Sequence, residues 1–430
     1  MNENTKVPEG WKRVRLGEKE FFKIVGSGIE YFQGYKNYLS TNSVQYSQIT
    51  HIEEIISYRN RPSRANMQPK KDRIAFAKMR NSIKVLLINE ELEKEYILST
   101  GFAMIETTIN PRYVFQYFLS DRFNRQKDLL AEGTTQEAIS NDDFERIFIT
   151  YPIEFHEQQK IAEILETVDR AIEKTDKIIE KYKRIKQGLM QDLLTKGIDE
   201  NGKIRSEKTH KFKNSPLGKI PEEWEVVRLG EVVDLRLSNV DKKIFDREKK
   251  VLLCNYLEVY QNDYVTKKLN FMVGSANNRE IEKFKISKGD VIITKDSEEF
   301  NDIAKSAYVR DEIDNLVCGY HLALLKVKDN IEGLFLSRIL AFPSINIHFQ
   351  KQANGITRFG ITKETIENAF IPLPPLSEQK RIAEILSQID NTIEKEEAYK
   401  QKLERFKKGL MEDLLTGKVR VNKLIKEKEV

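Results

Sequence analysis

Nine basic residues crowd positions 59–84: Arg59, Arg61, Arg64, Lys70, Lys71, Arg73, Lys78, Arg80 and Lys84, against one acid, Asp72. Such a surplus suits a polyanion, because each cation that meets a phosphate releases condensed counterions. Asn66 and Gln68 lie inside the run, and their amides can pair with base edges. Farther on, Gly133 is followed by Thr134, Thr135 and Gln136, and Gly355 by Thr357 and Arg358. Glycine lets backbone come close to a phosphate or a base.

Enzyme chemistry finds little support. Asn110-Pro-Arg-Tyr113 comes nearest to the Asn/Asp-Pro-Pro-Tyr/Phe loop of amino-methyltransferases, but Arg112 replaces the second proline. No Gly-x-Gly turn follows a strand upstream of it. Gly26-Ser-Gly28 is too short for a phosphate loop, and no Gly-x-x-x-x-Gly-Lys-Ser/Thr run occurs. His51, His156, His210, His321 and His348 are scattered and form no metal-spaced set with Cys254 or Cys318. Asp72 and Asp290 read as turn residues that open strands rather than as metal ligands. No catalytic or metal-binding residue is assigned.

The elements that must position these residues are written twice. Val7-Pro-Glu-Gly-Trp11-Lys-Arg-Val-Arg15-Leu-Gly-Glu18 returns as Ile220-Pro-Glu-Glu-Trp224-Glu-Val-Val-Arg228-Leu-Gly-Glu231. Glu157-Gln-Gln-Lys-Ile-Ala-Glu-Ile-Leu165 returns as Glu378-Gln-Lys-Arg-Ile-Ala-Glu-Ile-Leu386, and Gly188–Thr195 as Gly409–Thr416. The Gly133 and Gly355 loops match as well. Four blocks in one order imply a pseudo-dimer of two related halves.

Each half ends in a long amphipathic stretch. Ile161, Leu165, Val168, Ile172 and Leu189 form a heptad-like stripe in 157–195, and Ile382, Leu386, Ile389, Ile393 and Leu410 form one in 378–416. Gly197 and Gly417 stand where left-handed caps are favoured, and Ser377 suits an N-cap. A helix of this length reaches roughly 58 Å at 1.5 Å per residue. The simplest closed partner for each stripe is the other copy, in an antiparallel coiled coil about a pseudo-two-fold axis. Glu163, Asp169, Glu384 and Asp390 are expected to face outward, towards partners.

The remaining parts mix short β-branched runs with helices, so an α+β fold is expected. Residues 34–38, 72–76, 251–256 and 290–294 read as strands, and 113–123 and 334–342 as helices. The expected organisation is a first recognition domain (1–155), a long helix (156–197), a basic linker (198–219), a second recognition domain (220–376), a second long helix (377–417) and a tail (418–430). The helix starts keep 11 of 18 residues between 157–174 and 378–395, whereas the globular parts keep only a framework. The helices therefore do one job twice, and the domains present different surfaces. Asp290, Asp296, Glu298, Glu299 and Asp302 offset the lysines of the second domain's corresponding stretch. Its polyanion-facing residues are expected at Lys242, Lys243, Lys351 and Arg358.

The 430 residues carry a net charge of +5, with 40% hydrophobic and 32% charged side chains. The polar start, 1–10, lacks the apolar core of a signal peptide, and no long apolar window suggests a membrane span. Two cysteines suit a reducing cytoplasm.

In these motifs the chain resembles the specificity subunits of type I restriction-modification systems, across nearly its whole length. The strongest element is Pro372-Leu-Pro-Pro-Leu-Ser-Glu-Gln-Lys-Arg-Ile-Ala-Glu-Ile-Leu386, and 151–158 is a degraded first copy. The resemblance implies a non-catalytic reader of double-stranded DNA, with each domain reading one half of a split, asymmetric site. It implies two methyltransferase subunits bound to the long helices, and restriction and translocase subunits for cleavage. AdoMet, ATP and Mg²⁺ would be bound by those partners and none by this chain. The other class of reading is a coiled-coil interaction scaffold without sequence-specific DNA binding. Salt-dependent polyanion affinity separates the two.

Overall fold

Ile74, Ala75, Phe76 and Ala77 are all buried, which a strand achieves only when both its faces are covered. The computed structural model describes residues 7–131 and 137–426, and shows how this happens. Side chains alternate along a strand, so Ile74 and Phe76 join one core while Ala75 and Ala77 join another. The chain divides into two units, Met1–Lys177 with Glu397–Val430, and Ile178–Glu396.

In the first unit, an antiparallel sheet runs in the order Phe22–Val25, Phe102–Thr107, Ile74–Ala77, Val85–Leu87. A second sheet orders Glu54–Ile56, Lys36–Leu39, Tyr96–Ser99 and Ala65–Met67, with Lys36–Leu39 and Tyr96–Ser99 parallel. Trp11–Arg15 pairs with Phe148–Pro152 and ties the start of the domain to its end. Tyr113, Val114, Tyr117 and Phe118, on one helix, cover the Ile74/Phe76 face.

The second unit repeats the layering. Val233–Leu237, Leu322–Val327, Val291–Thr294, Ser306–Val309 and Tyr264–Val265 form one sheet. Met272–Ala276, Lys249–Cys254 and Leu316–Cys318 form another. Val291 and Ile293 face one core and Ile292 the other. Glu225–Arg228 pairs with Phe370–Leu373, the counterpart of the Trp11 pairing. Cys254 and Cys318 are in register on neighbouring parallel strands, unbonded, and burial pushes both thiols up.

The mixed helix and strand content agrees with the expected α+β class, but four details differ. The helix expected at 113–123 is two helices, Pro111–Leu119 and Asp121–Leu130. Ser120 ends the first, and its hydroxyl accepts from Phe123 N to cap the second. Likewise 334–342 is Gly333–Leu340 followed by Pro343–Gln352, with Pro343 opening the second helix. The expected linker 198–219 holds a hairpin, Phe212–Ser215 with Gly218–Pro221. Ser377 is no cap, because the helix begins at Leu376 and the Pro375 carbonyl already accepts from Glu378 and Gln379.

The long helices are Phe155–Thr195 and Leu376–Leu414. Within the first unit, Lys407 Nζ lies 2.5 Å from Asp169 and Lys400 Nζ 2.6 Å from Asp176. Seven residues forward on one helix match seven back on the other, so these segments run antiparallel. Ile161 and Leu165 are buried in the domain core together with Met411 and Leu414, and Leu410 packs at its edge. In the second unit, Ile382 and Leu386 enter the core with Leu193 and Leu194, with Leu189 packed against it. The stripe is thus shared with the domains rather than reserved for a helix–helix seam. Val168 and Ile393 are buried, and Ile172 and Ile389 half-buried.

Asp169 and Asp390 do not face outward. Asp169 also accepts from Gln116 Nε2 (2.8 Å). Asp390 is buried and meets Lys186 (2.7 Å), Arg338 (2.8 Å) and the Tyr264 hydroxyl (2.5 Å). A carboxylate on a charged helix turns inward when cations are already there to hold it. Glu384 is exposed, and Glu163 lies beside Lys160 at 3.1 Å.

Candidate nucleic-acid interface

The basic run of the first domain does not act as one face. Lys71 pairs with Glu90 (2.6 Å), which raises the lysine's pKa and lowers the glutamate's. Arg73 donates through Nε to Glu106 (2.9 Å) and holds that carboxyl below its usual range. Arg80 pairs with Glu137, and Lys84 donates to the Thr41 carbonyl (2.6 Å). Lys70 is exposed and adds to the positive field at Glu106. Arg59 and Arg64 are exposed and have no ion pair among the described residues.

Arg59 follows Tyr58, the centre of an aromatic cluster that sequence reasoning missed. Tyr58 meets Tyr31 (5.1 Å between centroids) and Phe32 (5.8 Å), and Arg61 lies 4.4 Å from its ring. Tyr31 and Tyr35 are largely exposed. Asn66 sits on the strand Ala65–Met67 with its carbonyl accepting from Gly28 N (2.7 Å). The half-buried Gln68 amide is already engaged, its oxygen accepting from Glu30 N (3.2 Å).

The two domains share one backbone socket. Lys78 N donates to Gly101 O (3.1 Å), and Lys78 O accepts from Ile139 N (3.0 Å). Lys295 N donates to His321 O (3.1 Å), and Lys295 O accepts from Ile361 N (3.0 Å). Each lysine follows a buried core strand, Ile74–Ala77 or Val291–Thr294, and is held between two loops. Burial lowers the pKa of Lys78. Around Lys295 the side chains differ: its Nζ lies 4.6 Å from the Tyr320 ring, and His321 Nδ1 is 2.9 Å from Asp296 Oδ2. Sequence reading passed over Lys295 because nearby acids cancel its charge in a count. Its place just after a buried strand was the available signal.

The Gly355 loop closes on this cluster. Asn354 and Gly360 exchange backbone hydrogen bonds of 3.0 and 2.9 Å, and Asp296–Ser297 pairs with Phe359–Gly360. A Cβ on Gly355 would lie 1.9 Å from Arg358 O, so the turn itself demands glycine. The hairpin presents Ile356 (97% exposed), Thr357 and Arg358. Gly133, Thr134, Thr135 and Gln136 lie outside the described residues. Lys242, Lys243 and Lys351 are exposed, and no hydrogen bond or ion pair among the described residues joins them to the Lys295 cluster.

The repeated motifs build two buried anchors. In the first unit, Glu157 accepts from Arg420 Nε (2.7 Å) and Nη2 (2.8 Å), and Arg420 also lies 5.9 Å from the Trp11 ring. In the second, Glu378 accepts from Arg205 Nη2 (3.0 Å), Trp224 Nε1 (3.2 Å) and Ile198 N (2.9 Å). Gly197 and Gly417 take positive φ at the helix ends, where a Cβ would strike Glu378 or Pro8. The neighbouring glutamines act alike: Gln158 bridges Asn110 N and Pro152 O, and Gln379 bridges Glu332 N and Pro374 O.

The residues weighed for enzyme chemistry have structural tasks. Asn110 caps a helix, its Oδ1 accepting from Arg112 N (3.0 Å) and Tyr113 N (3.3 Å). Asp72 is an exposed turn residue with φ +65°. Asp290 accepts from Ser287 N and pairs with Lys326 (2.6 Å), and burial raises its pKa. Among the described residues, no helix is long and apolar enough to cross a membrane.

A family model described as the type I restriction modification DNA specificity domain matches residues 8–183 and again 221–405. The chain is similar to the type I restriction enzyme MjaVIII specificity subunit of Methanocaldococcus jannaschii, at 28% identity over 97% of this chain and 95% of the relative. It is 29% identical to the putative MjaX specificity subunit of the same organism, over 73% and 69%. The S subunit of a type I restriction-modification system from M. genitalium superposes with a TM-score of 0.58 at 13% identity, covering 96% of this chain and 98% of that one. A chain from a structure of type I R-M complex assembly and conformational transition gives 0.58 at 22% identity, covering 96% and 100%. At these identities the structural likeness speaks for the fold.

Proposed function

This chain belongs to the family of type I restriction-modification DNA specificity domains, and from that premise we propose that it is the non-catalytic, sequence-reading subunit of such a complex. Each domain reads one half of a bipartite, asymmetric site in double-stranded DNA. The long helices hold the two reading domains apart as an antiparallel coiled coil and dock two methyltransferase subunits. Restriction and translocase subunits join for cleavage, and AdoMet, ATP and Mg²⁺ belong to those partners.

The observation that carries this reading is the shared socket with unlike surroundings. The backbone frame around Lys78 recurs around Lys295, while the side chains nearby change from Arg80 to Tyr320, His321 and Asp296. A common frame supplies the phosphate contact that positions a domain, and differing neighbours supply the base contacts that specify. A scaffold without DNA has no use for that division.

The test is the methylome of a heterologous host that expresses this chain with and without its modification subunit. A split, asymmetric methylated motif that appears only with both is the expected result. No new motif from a verified complex would overturn the proposal and favour the scaffold.

A further inference from the structure

In both domains, the loop that leaves the socket is shaped from below by a helix. In the first, the loop 79–82 follows Lys78, and Asp121–Leu130 is the helix beneath it. The Lys127 side chain is buried, with Nζ donating to Met79 O (3.0 Å) and to Ser82 O. Its neighbour Asp128 accepts from Asn81 N (3.0 Å). Asn81 itself is in the left-handed region, φ +55°. Three of the four loop residues are therefore tied to two consecutive helix residues. Lysine is almost never fully buried unless its charge is engaged, and here the engagement is with loop carbonyls.

In the second domain, the loop after Lys295 runs through 300–304, and Pro343–Gln352 is the helix. Asn346 Nδ2 donates to Ile303 O (3.1 Å), and Gln350 Nε2 donates to Asn301 O (3.1 Å). Gln350 also donates to Asn346 Oδ1 (2.8 Å), so the two act as one clamp. The clamped loop again contains a left-handed residue, Ala304, at φ +58°. Asp128 and Gln350 occupy the same place, five residues before Gly133 and Gly355. The position is shared, whereas the side chain and the loop it fixes are different.

Building on the specificity reading above, we propose that Lys127 with Asp128, and Asn346 with Gln350, are positioning residues that set half-site specificity by fixing the shape of the loop beside each socket lysine. They touch no DNA. Backbone hydrogen bonds decide where Arg80 and Asn81 stand in one domain and where Asp302 and its neighbours stand in the other. Positioning to within about 0.5 Å governs such sites, and a loop left without support loses it.

The experiment is the methylome of hosts that express the full complex with Lys127→Met, Asp128→Ala, Asn346→Ala or Gln350→Ala. Asp128→Asn, which keeps an acceptor for Asn81 N, is the conservative control. The first two variants are expected to relax one half of the methylated motif, raising the fraction of off-motif bases there at least tenfold and leaving the other half unchanged. Asn346→Ala and Gln350→Ala are expected to relax only the other half, and Asp128→Asn to keep the wild-type motif. Methylation that falls evenly with an unchanged motif would assign these residues to stability alone and overturn the proposal. So would wild-type motifs at wild-type levels throughout. Absence of any motif from the wild-type complex would instead remove the specificity reading on which the proposal rests.

Discussion

Arg205 grips Glu378 inside the second unit, each side chain under a tenth exposed, and Trp224 donates to the same carboxylate. Removing one partner of a buried pair leaves a charge without compensation, which costs about 3–5 kcal/mol. Arg205→Ala is expected to destabilise the second unit by that order. Arg205→Met with Glu378→Leu, which removes both charges, is expected to recover part of the loss. Trp224 lies in the anchor, so urea unfolding followed by fluorescence in a Trp11→Phe background reads this unit alone. Equal stability of Arg205→Ala and the parent would contradict the buried-anchor account.

Asp390, farther along the second helix, is held by Lys186, Arg338 and Tyr264. Its counterpart Asp169 has Lys407 and Gln116. Asp390→Ala leaves the largely buried Arg338 with Asp263 as its remaining ionic partner. It is expected to cost more stability than Asp169→Ala, by a few kcal/mol. Chemical denaturation of the two variants checks the order, and the reverse order would count against the network described.

Lys78 and Lys295 are expected to contact phosphate. Alanine at either position should weaken binding about equally for specific and nonspecific duplexes. It should also reduce the slope of log K against log salt by about 0.9. Fluorescence anisotropy at several salt concentrations measures both. A loss confined to the specific duplex would make the lysine a base reader instead.

The long helices span 41 and 39 residues, about 60 Å each at 1.5 Å per residue. If they set the spacing between half-sites, a heptad inserted after Lys177 and another after Ala398 adds about 10 Å to each. The unread spacer should lengthen by about three base pairs at 3.4 Å each, with both half-sites kept. An unchanged spacer in the methylated motif would separate helix length from spacing.

Much of the frame was legible because it is repeated. Trp11 and Trp224, Glu157 and Glu378, and Gly197 and Gly417 recur since each trio packs around an arginine–glutamate pair, which admits few substitutes, although Trp224 donates to its glutamate and Trp11 does not. The candidate interface was far less legible. Lys71, Arg73 and Arg80 look free in a linear count, yet they meet Glu90, Glu106 and Glu137, which lie 19, 33 and 57 residues away. Gln68 looks like a base reader but serves a loop 38 residues distant. Asp169 and Asp390 look outward on a heptad wheel, which treats every charge as solvated and ignores the lysine that the other helix supplies. Local pattern reports which residues recur, and long-range pairing decides which cations are left for a ligand.

The most direct test of the central claim is equilibrium binding of the assembled complex to duplexes carrying the methylated motif. One half is scrambled at a time, and the measurement is repeated with Lys295→Ala. The account predicts that scrambling either half lowers affinity at least a hundredfold, while Lys295→Ala lowers affinity for the intact and the half-scrambled duplexes by the same factor. Equal affinity for intact and half-scrambled duplexes would contradict a chain in which each domain reads its own half.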